Sequence, residues 1–349
     1  SLSEVEAASL FSVLMVVPAI TSSVAGRFAD RYGRKTILIS GLSLLAAGFG
    51  LAGITSHRIL FFLSLGITGL GYGFRPPALY AVMSDLLPNK RGLGASLVSV
   101  AYGIGGAIGA VLASRIIAVS DWRTAFVTVG LIAAVIMLLQ LYWIRNIRSI
   151  KSAVRGGSFR ASLSLPRLIL ALAVFIGGSV FWSSAAWSPT LLRSHKALTL
   201  EETGWVMGVL SLANMLGSFC LGALSDKLGR RRVIVLSSFP GSGAAFLVFF
   251  WLQPLPGLAL GMLVFGILKA SVPALVVALA QEASPSASAG TASGIIMALH
   301  YTAGVIAPLI AAKLISGTGD IVLAMILCTS VPLLVYGTLI ATVRVRGHS

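Results

Sequence analysis

Long apolar runs broken by short charged turns recur along the whole chain. Runs near 7–25, 36–54, 59–84, 92–114, 122–144, 166–191, 204–222, 232–252, 255–281, 289–314 and 319–341 stand out. Each is about the length at which a helix rising ~1.5 Å per residue crosses a hydrocarbon core ~30 Å thick. The pattern predicts eleven spanning helices and an all-α, polytopic membrane protein. Two of the turns are alike. Gly26-Arg27-Phe28-Ala29-Asp30-Arg31-Tyr32-Gly33-Arg34-Lys35 is read as a loop between the first two spans. Gly222-Ala223-Leu224-Ser225-Asp226-Lys227-Leu228-Gly229-Arg230-Arg231 repeats it 196 positions downstream, Gly26 to Gly222. The same offset carries Pro77-Ala78-Leu79 onto Pro273-Ala274-Leu275, Leu2-Ser3 onto Leu198-Thr199 and Gly94 onto Gly290. Two related halves are therefore expected: 1–144 as an N-terminal bundle, 145–165 as a basic linker and 166–349 as a C-terminal bundle.

Composition agrees with the run lengths. The 349 residues are 57% hydrophobic and only 10% charged, which excludes an ordinary soluble domain. A net charge of +16 would suit a nucleic-acid binder, so the position of the charge decides its meaning. Counting alternate turns, eighteen lysines and arginines fall on the side of the two repeated turns, the linker and the C-terminus, and six on the other. That bias is a topology signal placing the repeated turns and the C-terminus in the cytoplasm, and no nucleic-acid partner is expected. A cell membrane such as a bacterial inner membrane fits. The linker, with Gly156, Gly157 and several serines, reads as a flexible segment lying on anionic lipid headgroups. Cys220 and Cys328 sit in apolar runs without metal-ligand spacing, and no P-loop, GxSxG or HExxH motif occurs. No cofactor, metal or enzymatic activity is expected.

The two charged turns resemble the signature loop of the major facilitator superfamily, found after the second and eighth of its twelve helices. Asp121-Trp122-Arg123-Thr124-Ala125-Phe126 resembles the opening of that family's sixth helix. The resemblance covers essentially the whole chain. It implies two pseudo-symmetric bundles with 11 of the 12 helices present and the family's first helix missing. Residues 1–6 then read as a polar approach to the second helix in a truncated or incompletely read chain, not as the remnant of a processed signal. Ser3 and Glu6 form a capping box there, with Thr199 and Glu202 as counterparts. Gly26, Asp30, Arg31, Gly33 and Arg34, with their weaker copies Gly222, Asp226, Gly229 and Arg230, are the conformational motif the resemblance implies. It further implies that Asp30 pairs with neighbouring basic groups and a helix N-terminus across the gap between halves. Gly33 is expected to permit a left-handed turn at a helix end.

The remaining two cations, Arg75 and Lys269, fall near the middle of the spans at 59–84 and 255–281. The repeat offset maps Arg75 onto Ser271, two residues from Lys269, so the two are expected to face each other at similar depth. A cation at the bilayer centre costs at least ~2.5–3.5 kcal/mol and normally faces a pathway or a partner. All ten acidic residues lie in turns or at helix ends. Unless the family's first helix supplies a carboxylate, a mobile anion is the natural neutraliser, with Arg75 as a bidentate clamp and Lys269 as a second positive point. The alternatives are an arginine bonded to backbone carbonyls or to Asp85, and a lysine that snorkels or sits neutral. Many members of the family carry an arginine four residues before a Gly-x-Gly in the fourth helix. Here Leu65 precedes Gly69-Leu70-Gly71, so Arg75 takes no role from the family.

Ser64, Thr68, Tyr72 and Arg75 recur at helical spacing as a polar stripe. Pro76 and Pro77 remove the donors for the carbonyls of Tyr72 and Gly73, and Pro273 does so for Lys269, so both helices are expected to be weakened beside their cations. Tyr102, Trp182, Trp187, Asn214, His300 and Tyr301 are further candidates for the cavity wall. His300 is either a proton carrier for coupling or a packing residue. Gly103, Gly105, Gly106 and Gly109 offer surfaces for close helix packing; they resemble the family's antiporter motif, but Ala110 stands where its proline belongs. The expected function is a monomeric secondary active transporter of a small anionic solute, such as a carboxylate, moved by alternating access with a proton or a counter-anion. A multidrug efflux transporter and a non-transporting sensor on the same fold are the alternatives.

Overall fold

A computed structural model describes residues 4–87, 91–143, 165–271, 275–276 and 289–342, some side chains within these ranges excepted. The Ser3–Glu6 cap, the side chains of Asp30, Arg31 and Asp85, linker residues 145–164, Pro273 and the C-terminal tail lie outside the described residues. Eleven helices account for the rest. In the first half they are α1 (Glu4–Tyr32), α2 (Arg34–Ile54), α3 (Arg58–Leu86), α4 (Arg91–Val119) and α5 (Trp122–Trp143). The second half has α6 (Leu165–Ser194), α7 (Leu200–Leu228), α8 (Arg230–Phe246, with a π turn over Leu247–Trp251), α9 (Leu255–Lys269) and α10 (Ala289–Thr318). The last, α11, runs as Ile321–Met325, a π turn over Ile326–Ser330, and Val331–Thr342. Nine of these are long and apolar enough to cross a membrane, and α1 and α9 contribute the shorter apolar stretches Phe11–Gly26 and Leu255–Lys269.

The repeated charged segments are not loops of ten residues. α1 and α7 each run for 29 residues and carry helix through them, so a single glycine makes each turn. Gly33 has φ 95° and ψ 137°, and Gly229, its repeat partner, has φ 86° and ψ 137°. The positive φ fits the expectation for Gly33, but the extended ψ is not that of a left-handed helical turn. Only glycine adopts this region without strain, which lets the chain reverse within one residue. The charged residues thus lie on the helical turns that flank each glycine.

Each half packs as its own bundle. In the first, α2 lies against α3 and α5, and α1 against α3; in the second, α9 lies against α7 and α8, and α6 against α10 and α11. The bundles meet along two antiparallel pairs, α1 with α10 and α4 with α7. Small residues permit the close approach. A methyl group on Gly204 would meet Ala110 O at 3.1 Å, and one on Gly294 would meet Ser22 O at 2.9 Å. Of the α4 glycines, Gly103 and Gly106 contact Met215 and Ser211 of α7, whereas Gly105 and Gly109 face open space. The share of a span buried inside the protein falls from 56% for α10 to 17% for α5, so α10 is central and α5 faces lipid with Leu131, Val135 and Leu138. The expected opening of α5 is built as a cap and an aromatic cluster. Asp121 Oδ1 accepts from Thr124 N–H at 2.7 Å, while Trp122 and Phe126 pack edge-on against each other and on Phe61 of α3.

Candidate functional site

Arg75 is placed by glycines on the neighbouring helix. A methyl group on Gly41 of α2 would stand 2.8 Å from Arg75 Cγ, and one on Gly71 would meet Gly41 O at 2.7 Å, so α2 and α3 cross with almost no separation there. The arginine stem lies in the space a side chain at 41 would fill. α3 runs unbroken through Pro76 and Pro77. Since neither proline donates, the carbonyls of Tyr72 and Gly73 are left over by the helix ladder. Arg75 is half-buried, its Nε is buried without a hydrogen-bond partner, and none of the ion pairs among the described residues includes it.

The second bundle reaches this place through α10. Tyr301 Oη donates to Tyr72 O at 3.4 Å, one of the carbonyls the prolines released. Tyr301 begins an aromatic band that runs away from Arg75. Its ring lies 5.8 Å from Trp182, which packs 5.8 Å from Phe11 of α1, 5.4 Å from His300 and 5.0 Å from Phe181. His300 is wedged between Phe181 and Trp182, on the flank of Gly178. Trp182 Nε1 is a buried donor without an acceptor, whereas Trp187 donates to Pro308 O at 3.1 Å and serves the α6–α10 contact.

Lys269 closes the other end of the band. Its ammonium lies 5.2 Å from the centre of the Phe181 ring and 5.1 Å from that of Phe265, and it donates to Ser184 Oγ at 2.7 Å. It does not face Arg75 as expected. Its contacts are with α6 and with its own helix, inside the second bundle, and a turn at Ala270, whose N–H bonds to Ile267 O, interrupts the helix directly after it.

Other expected members divide. Thr68 is fully buried, its hydroxyl donates to Ser64 O at 2.9 Å, and it packs on Gly48 of α2, so the lower part of the expected stripe faces a helix neighbour and not a cavity. Tyr72 packs its ring 6.5 Å from Phe49 while its carbonyl meets Tyr301. Tyr102 on α4 is 43% exposed. Asn214 lies two residues from both Leu212 and Leu216, which with Trp205 and Phe219 make the exposed apolar stripe of α7; it therefore points to the protein side, where its Oδ1 is buried and unpartnered. In the conformational motif, Asp226 lies 4.0 Å from Arg230, one helical turn on, and is 68% exposed, a contact of little energy. Gly26 is buried in α1 and Gly222 half-buried in α7, and Arg34, which opens α2, is half-buried.

Sequence reasoning missed Gly41, Phe11, Phe181, Phe265 and Ser184. The helical spacing of Phe181, Ser184 and Ser188 on α6 was a signal, but apolar and small residues are so common in a membrane chain that spacing alone does not single them out.

Comparison with known proteins bears on what such a site serves. The family model described as Major Facilitator Superfamily matches the chain over residues 1–308 and 170–346. The 3-(3-hydroxy-phenyl)propionate transporter of Escherichia coli is 29% identical over 314 residues, 85% of this chain and 75% of the relative. The multi-drug resistance efflux pump PmrA of Streptococcus pneumoniae is 26% identical over 308 residues, 85% of this chain and 76% of the relative. The crystal structure of the human organic anion transporter MFSD10 (TETRAN) is similar with a TM-score of 0.78 at 18% identity, covering 95% of this chain and 83% of that one, a likeness of fold.

Proposed function

This chain belongs to the major facilitator superfamily, and on that premise we propose that it carries a small organic anion with an aromatic ring, such as an aryl carboxylate, across a cell membrane by alternating access. The observation that carries this reading is Arg75: a mid-span guanidinium with a buried, unpartnered Nε, set beside an aromatic band that also holds the unpartnered Trp182 Nε1. Buried polar atoms without partners are uncommon in proteins and call for an explanation, which for these two groups a bound ligand would supply. A carboxylate accepts two parallel bonds from a guanidinium, and an attached ring gains offset or edge contact with Trp182 and Tyr301. Asn214 and Tyr102 supply further polar contacts. The E. coli relative, named for a phenyl-bearing carboxylate, supports the same class. In this reading the protein works as a monomer, the glycine turns and the C-terminus face the cytoplasm, and a proton or a counter-anion moves with or against the cargo.

Efflux of apolar drugs is a second reading, supported by the S. pneumoniae relative and by the apolar band itself. Two mid-span cations with no ion pair among the described residues disfavour a cationic cargo. Thermal stability of the purified protein across aryl carboxylates, aliphatic carboxylates and apolar drugs separates the readings, because a ligand for the folded state raises the melting temperature. Stabilisation by aryl carboxylates that disappears in Arg75→Gln supports the proposal. If an apolar compound stabilises both proteins equally and carboxylates stabilise neither, the efflux reading stands.

A further inference from the structure

The two mid-span cations sit in unlike surroundings. Arg75 is half-buried, whereas Lys269 is 4% exposed and enclosed by Phe181, Phe265 and Ser184. An ammonium has three N–H donors. One is spent on Ser184 Oγ, whose own proton goes to Phe181 O at 2.9 Å, and two ring faces solvate the rest of the charge. Such an enclosure fits a group that holds a proton better than one that grips a cargo, because little of the ammonium is left for a ligand to touch.

The ionisable groups around Lys269 leave it alone at its depth among the described residues. On α6 the charges are Arg167, in the first turn, and Arg193, in the last. On α7, Glu201 and Glu202 lie in the first turn and Lys227 in the last, next to Asp226, while Cys220 is exposed. On α8 the charges are Arg230 to Arg232 at its start, and α11 contributes the buried Cys328 and Tyr336. On α10, Lys313 lies toward the C-terminal end, while the exception, His300, rests on the same ring of Phe181 at 5.4 Å with the buried Tyr301 beside it. Ser188, one turn from Ser184 on α6, is fully buried with an unpartnered Oγ.

We infer that Lys269 is the proton-carrying group that couples transport, so that an anion on Arg75 and a proton on Lys269 cross together as a neutral load. On the entry side Lys269 Nζ takes a proton from water; on the other side the anion leaves and the N–H bond breaks, returning the proton to water. No electron changes hands. The inference rests on the anion reading above for the cargo and goes beyond it in naming the coupling group.

The test uses the reconstituted full chain with 3-(3-hydroxyphenyl)propionate as probe, in wild type and Lys269→Met. The expected result is a split: wild type accumulates the probe against its gradient when the exterior is acidic and alkalinises the exterior as it does so. Lys269→Met loses accumulation more than tenfold while exchange of labelled for unlabelled probe slows less than tenfold. Equal loss of both activities, or accumulation retained in the variant, overturns the inference. Absence of any probe transport by wild type refutes the cargo reading instead, and a cargo-free measurement then decides the lysine. The melting temperature of wild type between pH 5 and 9 is expected to contain a pH-dependent component that Lys269→Met lacks; parallel curves overturn the inference.

Discussion

The hydroxyl of Tyr301 in α10 donates to the carbonyl of Tyr72 in α3, 3.4 Å away, and so links the two bundles at the depth of Arg75. The acceptor exists because Pro76 cannot donate to it. At this length the bond is at the weak end of the range, so Tyr301→Phe is expected to lower stability by only about 0.5 kcal/mol. In a Pro76→Ala background, where the helix ladder reclaims the carbonyl, the same substitution is expected to cost nothing further. A double-mutant cycle on melting temperature checks this, and additive effects contradict it.

Gly41 and Gly71 meet at the same crossing but answer to different neighbours. Gly41→Ala pushes on the flexible stem of Arg75, first met at 2.8 Å, so the protein is expected to fold and bind its anion about tenfold more weakly, a change of ~1.4 kcal/mol. Gly71→Ala meets the backbone at Gly41 O, 2.7 Å, and is expected to destabilise the fold by about 1–3 kcal/mol. Thermal melting with and without an aryl carboxylate separates the two outcomes.

Gly33 and Gly229 test the repeat. A methyl group meets nothing closer than Thr36 Oγ1 at 3.9 Å at the first and nothing within 4 Å at the second, so the cost of alanine is conformational. With φ of 95° and 86°, each alanine variant is expected to lose about 1–3 kcal/mol, and the two losses should agree closely. Unfolding monitored in detergent for both variants measures the difference; a loss at one site only would mean the turns are not equivalent.

Acidification tests the cap on α5. The N–H of Thr124 at 2.7 Å, helped by the Thr124 hydroxyl, holds the Asp121 carboxyl below its ordinary 3.8. A carboxyl lowered on folding adds stability above its unfolded pKa, and that contribution is lost as pH falls through the folded value. The wild-type melting temperature is therefore expected to drop below about pH 4 by more than that of Asp121→Asn, whose amide oxygen accepts the same bond at every pH. Coincident curves from pH 6 to 3 would show that this cap is not what acid removes.

Hydrophobic run length and the repeat were enough to determine that the chain makes eleven helices in two related halves. Membrane thickness sets the run length, and a glycine turn with its flanking charges is a local device, visible wherever it recurs. The Thr199–Glu202 capping box was equally legible, with Thr199 N–H donating to Glu202 at 2.8 Å, because all its atoms come from four consecutive residues. Only the tertiary structure decided how each helix is turned about its axis. The stripe from Ser64 to Arg75 looks uniform in the sequence, yet the buried Thr68 is pressed on Gly48 while the half-buried Arg75 crosses Gly41. Lys269 turns to Phe181, Phe265 and Ser184 within the second bundle. Helix rotation is set by where glycines on distant segments let backbones touch. In a chain with 38 glycines, nothing local tells which of them will be the contact.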